Sequence, residues 1–207
     1  MNACIFTANA KSQTISADYT VEICVVTPKE CMVFEEKEYF GALCSNGCKN
    51  YARKWSCPPY SPSFSSVALG WSKLYILYLR MPMQPFAHIK NGYLRIKAAN
   101  SMLKSRADKY MRTLAMEYGK FISTGSCRLC KPCKCSKGEP CAHPSIMAYS
   151  FESLGINVDA LVKEYFKEPL LWYKKGSVPE YTSVVCGLLT NEDLSLDILK
   201  ELYLKTI

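Results

Sequence analysis

Residues 96–124 read IKAANSMLKSRADKYMRTLAMEYGKFIST, and this stretch decides the fold class. Ile96, Ala99, Leu103, Ala107, Tyr110, Leu114 and Tyr118 recur at spacings of three and four, which lays one apolar stripe along a long helix. Gly119 ends the run, and residues 121–124 read as a strand that follows at once. A long amphipathic helix feeding straight into a strand points to a sheet covered by helices.

Working toward the N-terminus, residues 71–80 are rich in aromatic and branched side chains. They read as a strand stopped by Met81-Pro82 and Gln84-Pro85. Residues 19–26 and 31–34 flank a Thr27-Pro28-Lys29 turn and predict an opening hairpin. Between these segments, residues 42–66 change to Cys, Ser, Asn, Gly and Pro, with Cys57-Pro58-Pro59 and Ser61-Pro62-Ser63 barring regular structure over much of the second half.

Toward the C-terminus, residues 145–153 read as a helix closing at Gly155, and Asn157 is placed to cap a helix over Val158–Phe166. Residues 170–173 and 181–189 read as paired strands around a turn at 176–179. Thr190-Asn191-Glu192-Asp193 has the spacing of a capping box that opens a last helix through Leu204. No repeat and no dividing linker interrupts the pattern. The expectation is one α+β domain over residues 1–207, with a mixed sheet and flanking helices.

The composition fits a packed core. The chain has 207 residues, 49% of them hydrophobic and 12% aromatic, and 26 Lys plus Arg against 18 Asp plus Glu leave a net charge of +8. That is too apolar for a disordered chain and long enough to bury a core. The apolar runs at 21–26, 74–79 and 182–189 are strand length, well short of the roughly 20 residues of a membrane span. Residues 1–10 carry neither a basic leader nor a long apolar run, so a cytoplasmic location is expected.

Twelve cysteines set this chain apart. Eight lie in two stretches: Cys44, Cys48 and Cys57 in the first, and Cys127, Cys130, Cys133, Cys135 and Cys141 in the second. In a reducing compartment, crowded thiols bind metal or do redox chemistry more often than they form disulfides. The second stretch contains Cys127-Arg128-Leu129-Cys130-Lys131-Pro132-Cys133, a tripled C-x2-C-x2-C spacing of the ferredoxin type, with Cys141 the local choice for a fourth ligand of a four-iron cluster. Cys57, followed at once by Pro58, is the other candidate for that position. Zinc competes, since Cys127, Cys130, Cys133, Cys135, Cys141 and His143 contain several possible tetrahedral sets. Zinc sites, however, usually use two separated pairs. The first stretch offers three thiolates without a fourth. It either borrows a ligand such as Cys135 from the second stretch or holds a cluster with one iron open to a small molecule.

Together with Gly125-Ser126 ahead of Cys127, Pro140-Cys141-Ala142-His143-Pro144 and Ser150-Phe151-Glu152-Ser153-Leu154-Gly155-Ile156-Asn157-Val158, these cysteines resemble an uncharacterised prokaryotic family of predicted metal-binding proteins. The resemblance runs from about residue 20 to about residue 190. It implies that Cys44, Cys48, Cys57, Cys127, Cys130, Cys133 and Cys141 are the metal-site positions, and it does not include Cys135.

Between Lys90 and Lys137 stand twelve Lys or Arg residues against only Asp108 and Glu117. Arg128, Lys131, Lys134 and Lys137 would favour the reduced form of a negatively charged cluster and steer an acidic electron donor or an anionic small molecule toward it. An RNA reading, with Tyr93, Tyr110, Tyr118 or Trp55 stacking on bases, is the weaker use of the same charge, because the tyrosines of the long helix fall on its core stripe. Cys24 and Cys186 sit in apolar strand patterns as small buried hydrophobes. Cys4 and Cys31 read as stray thiols, and His88 has no partner in sequence. His143 suits a turn better than a ligand role. No phosphate loop, nucleophile elbow or zinc-protease motif is present.

The sequence thus leads to an iron-sulfur protein serving electron transfer or, as a cluster-dependent oxidoreductase, a reductive reaction at an open iron. It assigns no catalytic residue. The alternative is a zinc-stapled module contacting RNA or an acidic protein.

Overall fold

The computed structural model describes residues 3–207. Its first two strands form a hairpin, β1 (Ala3–Lys11) and β2 (Ser16–Val26), paired antiparallel from Ala3 with Cys24 to Lys11 with Ser16. β3 (Lys73–Pro82), β4 (Gly119–Ser123), β5 (Tyr149–Ser150) and β6 (Tyr181–Thr190) complete one six-stranded sheet in the order β1-β2-β3-β6-β4-β5. Only β4 and β5 pair in parallel, so the sheet is mixed as expected. Six α-helices accompany it among the described residues: α1 (Pro28–Met32), α2 (Lys37–Ser45), α3 (Phe64–Ala68), α4 (Gly92–Tyr118), α5 (Val158–Phe166) and α6 (Leu196–Thr206). The class is α+β.

Strand alternation splits the interior into two cores, one on each face of the sheet. On β3, Tyr75, Leu77, Leu79 and Met81 join Ala99, Leu103, Ala107, Tyr110 and Leu114 of α4 and Leu199 and Tyr203 of α6. Leu74, Ile76 and Tyr78 face the other way, against Cys31 of α1, Phe64 of α3 and Leu161 and Val162 of α5. The stripe read along α4 is thus its buried face, and the Asn91 side chain caps the helix by accepting from the Leu94 amide. Cys24 and Cys186 are fully buried, one in each core.

Four local expectations are corrected. Residues 31–34 are not a strand: Thr27 caps α1, with Pro28 in its first turn and Glu30 closing a capping box. The opening hairpin lies upstream, where Phe6, Ala8 and Ala10 alternate with exposed neighbours. Residues 145–153 form the short strand β5 and a 3-10 turn at Glu152–Leu154 rather than a helix. There the Ser150 and Ser153 side chains bond the local backbone and compete with helical bonding. Residues 170–173 form no strand, because β6 already has β3 on one edge and β4 on the other. The last helix begins after Ser195, since Thr190 is the final ladder residue of β6, facing both Lys73 and Gly119.

Candidate metal centre

The two cysteine stretches lie at the β4–β5 edge. The first leaves α2, whose last turn carries Cys44; the Cys48 amide then bonds the Cys44 carbonyl at 3.1 Å. Further turns bring the Ala52 amide to the Pro58 carbonyl at 2.9 Å and the Tyr60 amide to the Cys57 carbonyl at 3.0 Å. This loop is seated from below. Lys37 Nζ donates to the Ser153 carbonyl at 2.6 Å and to Ser61 Oγ at 3.0 Å, while the Glu36 amide donates to the Gly155 carbonyl at 2.7 Å.

The second stretch connects β4 to β5. Cys133 precedes a 3-10 turn at Lys134–Lys137, and Gly138 closes that turn in the left-handed region at φ 70°. Its other bonds reach across to the first loop. Lys54 Nζ donates to Ser126 Oγ at 3.0 Å and to the Cys127 carbonyl at 2.8 Å, the Cys127 amide donates to Ser56 Oγ at 3.0 Å, and Trp55 Nε1 donates to the Glu139 carbonyl at 3.0 Å. Residues 54–56 therefore act as a clamp. Nothing in the sequence marks Lys54, Ser56 or Lys37 as site residues, because their partners are backbone atoms and two serines, Ser61 and Ser126, distant along the chain.

Burial and neighbouring thiols shift several of these cysteines. Burial pushes the Cys57 thiol up to about 11, against the pull of Ser56 and Lys54 and with a further push from Cys48 and Cys44. Burial also raises the Cys44 thiol, followed by repulsion from Cys48 and Glu152. Cys130 is raised by desolvation and then by Cys133, Cys127 and Cys141. Cys48 and Cys44 thus bear on Cys57, and Cys133, Cys127 and Cys141 on Cys130. They do not form a closed shell: among the described residues no three His, Cys, Asp or Glu side chains converge tightly enough to hold one metal ion. The cysteines are all free thiols, a soft donor set that fits iron-sulfur or zinc ligation by its chemistry.

The remaining candidates differ: burial and then Cys133 raise the Cys135 thiol. Cys135 is buried, with Sγ 3.9 Å from the Ala52 carbonyl. His143 is exposed. Lys134 is paired with Glu139 at 2.6 Å, which leaves Arg128, Lys131 and Lys137 as the exposed cations of the second loop. Of the aromatic side chains considered for base stacking, Tyr110 is buried among the α4 and α6 packing, and the Trp55 ring lies 4.8 Å from that of Tyr60.

The α+β fold and its two clamped cysteine loops define a cysteine-rich metal-binding class. The chain belongs to the family described as "Predicted metal-binding protein (DUF2284)", which matches residues 26–189 and so spans both loops. Comparison with curated proteins and with solved structures gave no match. No helix among the described residues is long and apolar enough to cross a membrane.

Proposed function

We propose that this chain is a cytoplasmic iron-sulfur redox protein, with a four-iron cluster on Cys127, Cys130, Cys133 and Cys141 and a second metal centre involving Cys44, Cys48 and Cys57. The observation that carries the reading is the C-x2-C-x2-C spacing of Cys127, Cys130 and Cys133, with Cys141 following, in a loop that hydrogen bonds tie to the loop of Cys57. The trio has no fourth thiol in its own loop, which supports an open coordination position there. A bound cluster of this kind would supply one-electron chemistry, and an open iron a place for a small molecule to bind.

The protein's own share is to hold and to bias. Lys54 and Ser56 tie Cys127 to the loop of Cys57, so the two centres would be positioned together. Arg128, Lys131 and Lys137 favour the more negative, reduced form and attract an acidic electron donor. Metal ligation would draw the separated thiols of each group together and so stabilise loops that have little regular structure of their own.

Anaerobic purification followed by iron and sulfide analysis tests the proposal. Brown protein with iron and acid-labile sulfide in equal amounts is expected. Colourless protein with stoichiometric zinc would overturn it and make the chain a zinc-stapled module.

A further inference from the structure

A cavity of about 260 Å³ opens between α4, β6 and residues 170–173. Of the second cysteine loop only Thr124, at its start, reaches the lining. Leu170, Leu171 and Trp172 make an apolar wall, and Lys104 from α4 and Glu152 from the 3-10 turn bring opposite charges to the lining. Burial holds Lys104 below its usual range, followed by Arg128, with Glu152 and Asp108 opposing. Yet neither Lys104 nor Glu152 belongs to an ion pair among the described residues. Asp108, the other carboxylate near Lys104, accepts a hydrogen bond from Thr124 Oγ1 at 3.0 Å.

A half-buried cation and an exposed carboxylate line one small cavity without pairing to each other, and this sets a chemical requirement. A half-buried cation and a neighbouring carboxylate are best satisfied by a ligand that carries both signs. A simple anion would meet Glu152, and a simple amine would meet Lys104, each at a like-charge cost. The volume lies just below the usual range for drug-sized ligands, which limits the occupant to a small molecule. The apolar wall then selects the rest of that molecule.

We propose that this cavity binds a free α-amino acid with an apolar side chain, its carboxylate on Lys104, its ammonium on Glu152 and its side chain against Leu170, Leu171 and Trp172. The site stands independently of which metal the cysteine loops hold.

Calorimetric titration of the full chain as purified tests this, using leucine, isoleucine, valine, methionine and phenylalanine. The one-charge analogues of leucine, 4-methylpentanoate and 3-methylbutylamine, serve as controls. Saturable binding of at least one amino acid is expected. For leucine, both analogues should bind at least about tenfold more weakly, and K104Q and E152Q should each weaken the bound amino acid by about tenfold or more. Circular dichroism and metal content, measured on both variants, show that the fold and the cysteine loops are retained. The inference is overturned by no heat of binding for any of the five at about 10 mM, by 4-methylpentanoate or the amine binding as tightly as leucine, or by undiminished binding in the folded variants. Iron analysis and amino-acid binding are separate readouts, so either can fail without the other.

Discussion

The Cys127 amide donates to the Ser56 hydroxyl at 3.0 Å, so the residue beside Cys57 anchors the first cysteine of a loop 71 positions away. Ser56 is 1% exposed, shielded from solvent. Ser56→Ala would leave that amide without its acceptor, at a cost of about 1–3 kcal/mol. A lowered denaturation midpoint and faster metal release to a chelator are expected; an unchanged release rate would separate the clamp from the metal site.

Cysteine substitutions should divide the proposed ligands from the other thiols. Cys130→Ala and Cys133→Ala are expected to lose the metal of the second loop, whereas Cys135→Ala and Cys24→Ala keep it. Cys135 faces the Ala52 carbonyl, and Cys24 lies in a core where burial pushes its thiol up to about 12. Metal-to-protein ratios after identical purification check this. Loss of metal from the Cys135 variant would enlarge the ligand set.

Gly155 is the seat of α2. It adopts φ 94°, and a Cβ there would fall 2.6 Å from Lys37 Cα. Gly155→Ala combines backbone strain with a steric push on the helix that carries Cys44, and about 2–3 kcal/mol of destabilisation is expected. Chemical denaturation measures the loss. A stability equal to that of the unmodified chain would show that α2 can shift freely.

The α1 cap makes a pH-dependent contribution. The Thr27 amide, and then the Thr27 hydroxyl, hold the Glu30 carboxyl below its usual range. A carboxylate depressed in the folded state adds stability above its unfolded pKa of about 4.3 and loses it as the pH falls through the folded value. Thr27→Ala should cost about 1 kcal/mol near neutrality, and the gap between variant and parent should narrow in acid. A gap that widens in acid would contradict this.

Removing metal should loosen the loops and spare the sheet. Neither core contains any of the seven candidate ligands; both are closed by aliphatic and aromatic side chains and by Cys24, Cys31 and Cys186. After chelation, limited proteolysis is expected to cut within residues 46–63 and 124–148 while far-ultraviolet circular dichroism changes little. Global unfolding on chelation would show that the sheet depends on the metal.

How much of this was legible in the sequence follows from the range of the interactions. The α4 stripe, the Gly119 stop, the body of β3 and the Asn157 cap of α5 read correctly, because helix period, branched runs and capping are set by neighbours within a few residues, whereas β3 runs on through the Met81-Pro82 expected to stop it. The two thiol groups were also visible, as spacing. Thr27-Pro28-Lys29 was misread because a Pro fits both a turn and the first turn of a helix; Glu30, completing the cap, decides for the helix.

By itself the sequence determined which segments bury which faces and which cysteines travel together. Only the tertiary structure decided that β6 lies between β3 and β4, which leaves residues 170–173 to wall a cavity instead of a sheet. It also brought Lys54, Trp55 and Ser56 onto the second loop and Lys104 near Glu152. The reason is physical: local structure leaves a period in the chain, whereas a hydrogen bond between distant loops, or two charges meeting across a cavity, leaves none.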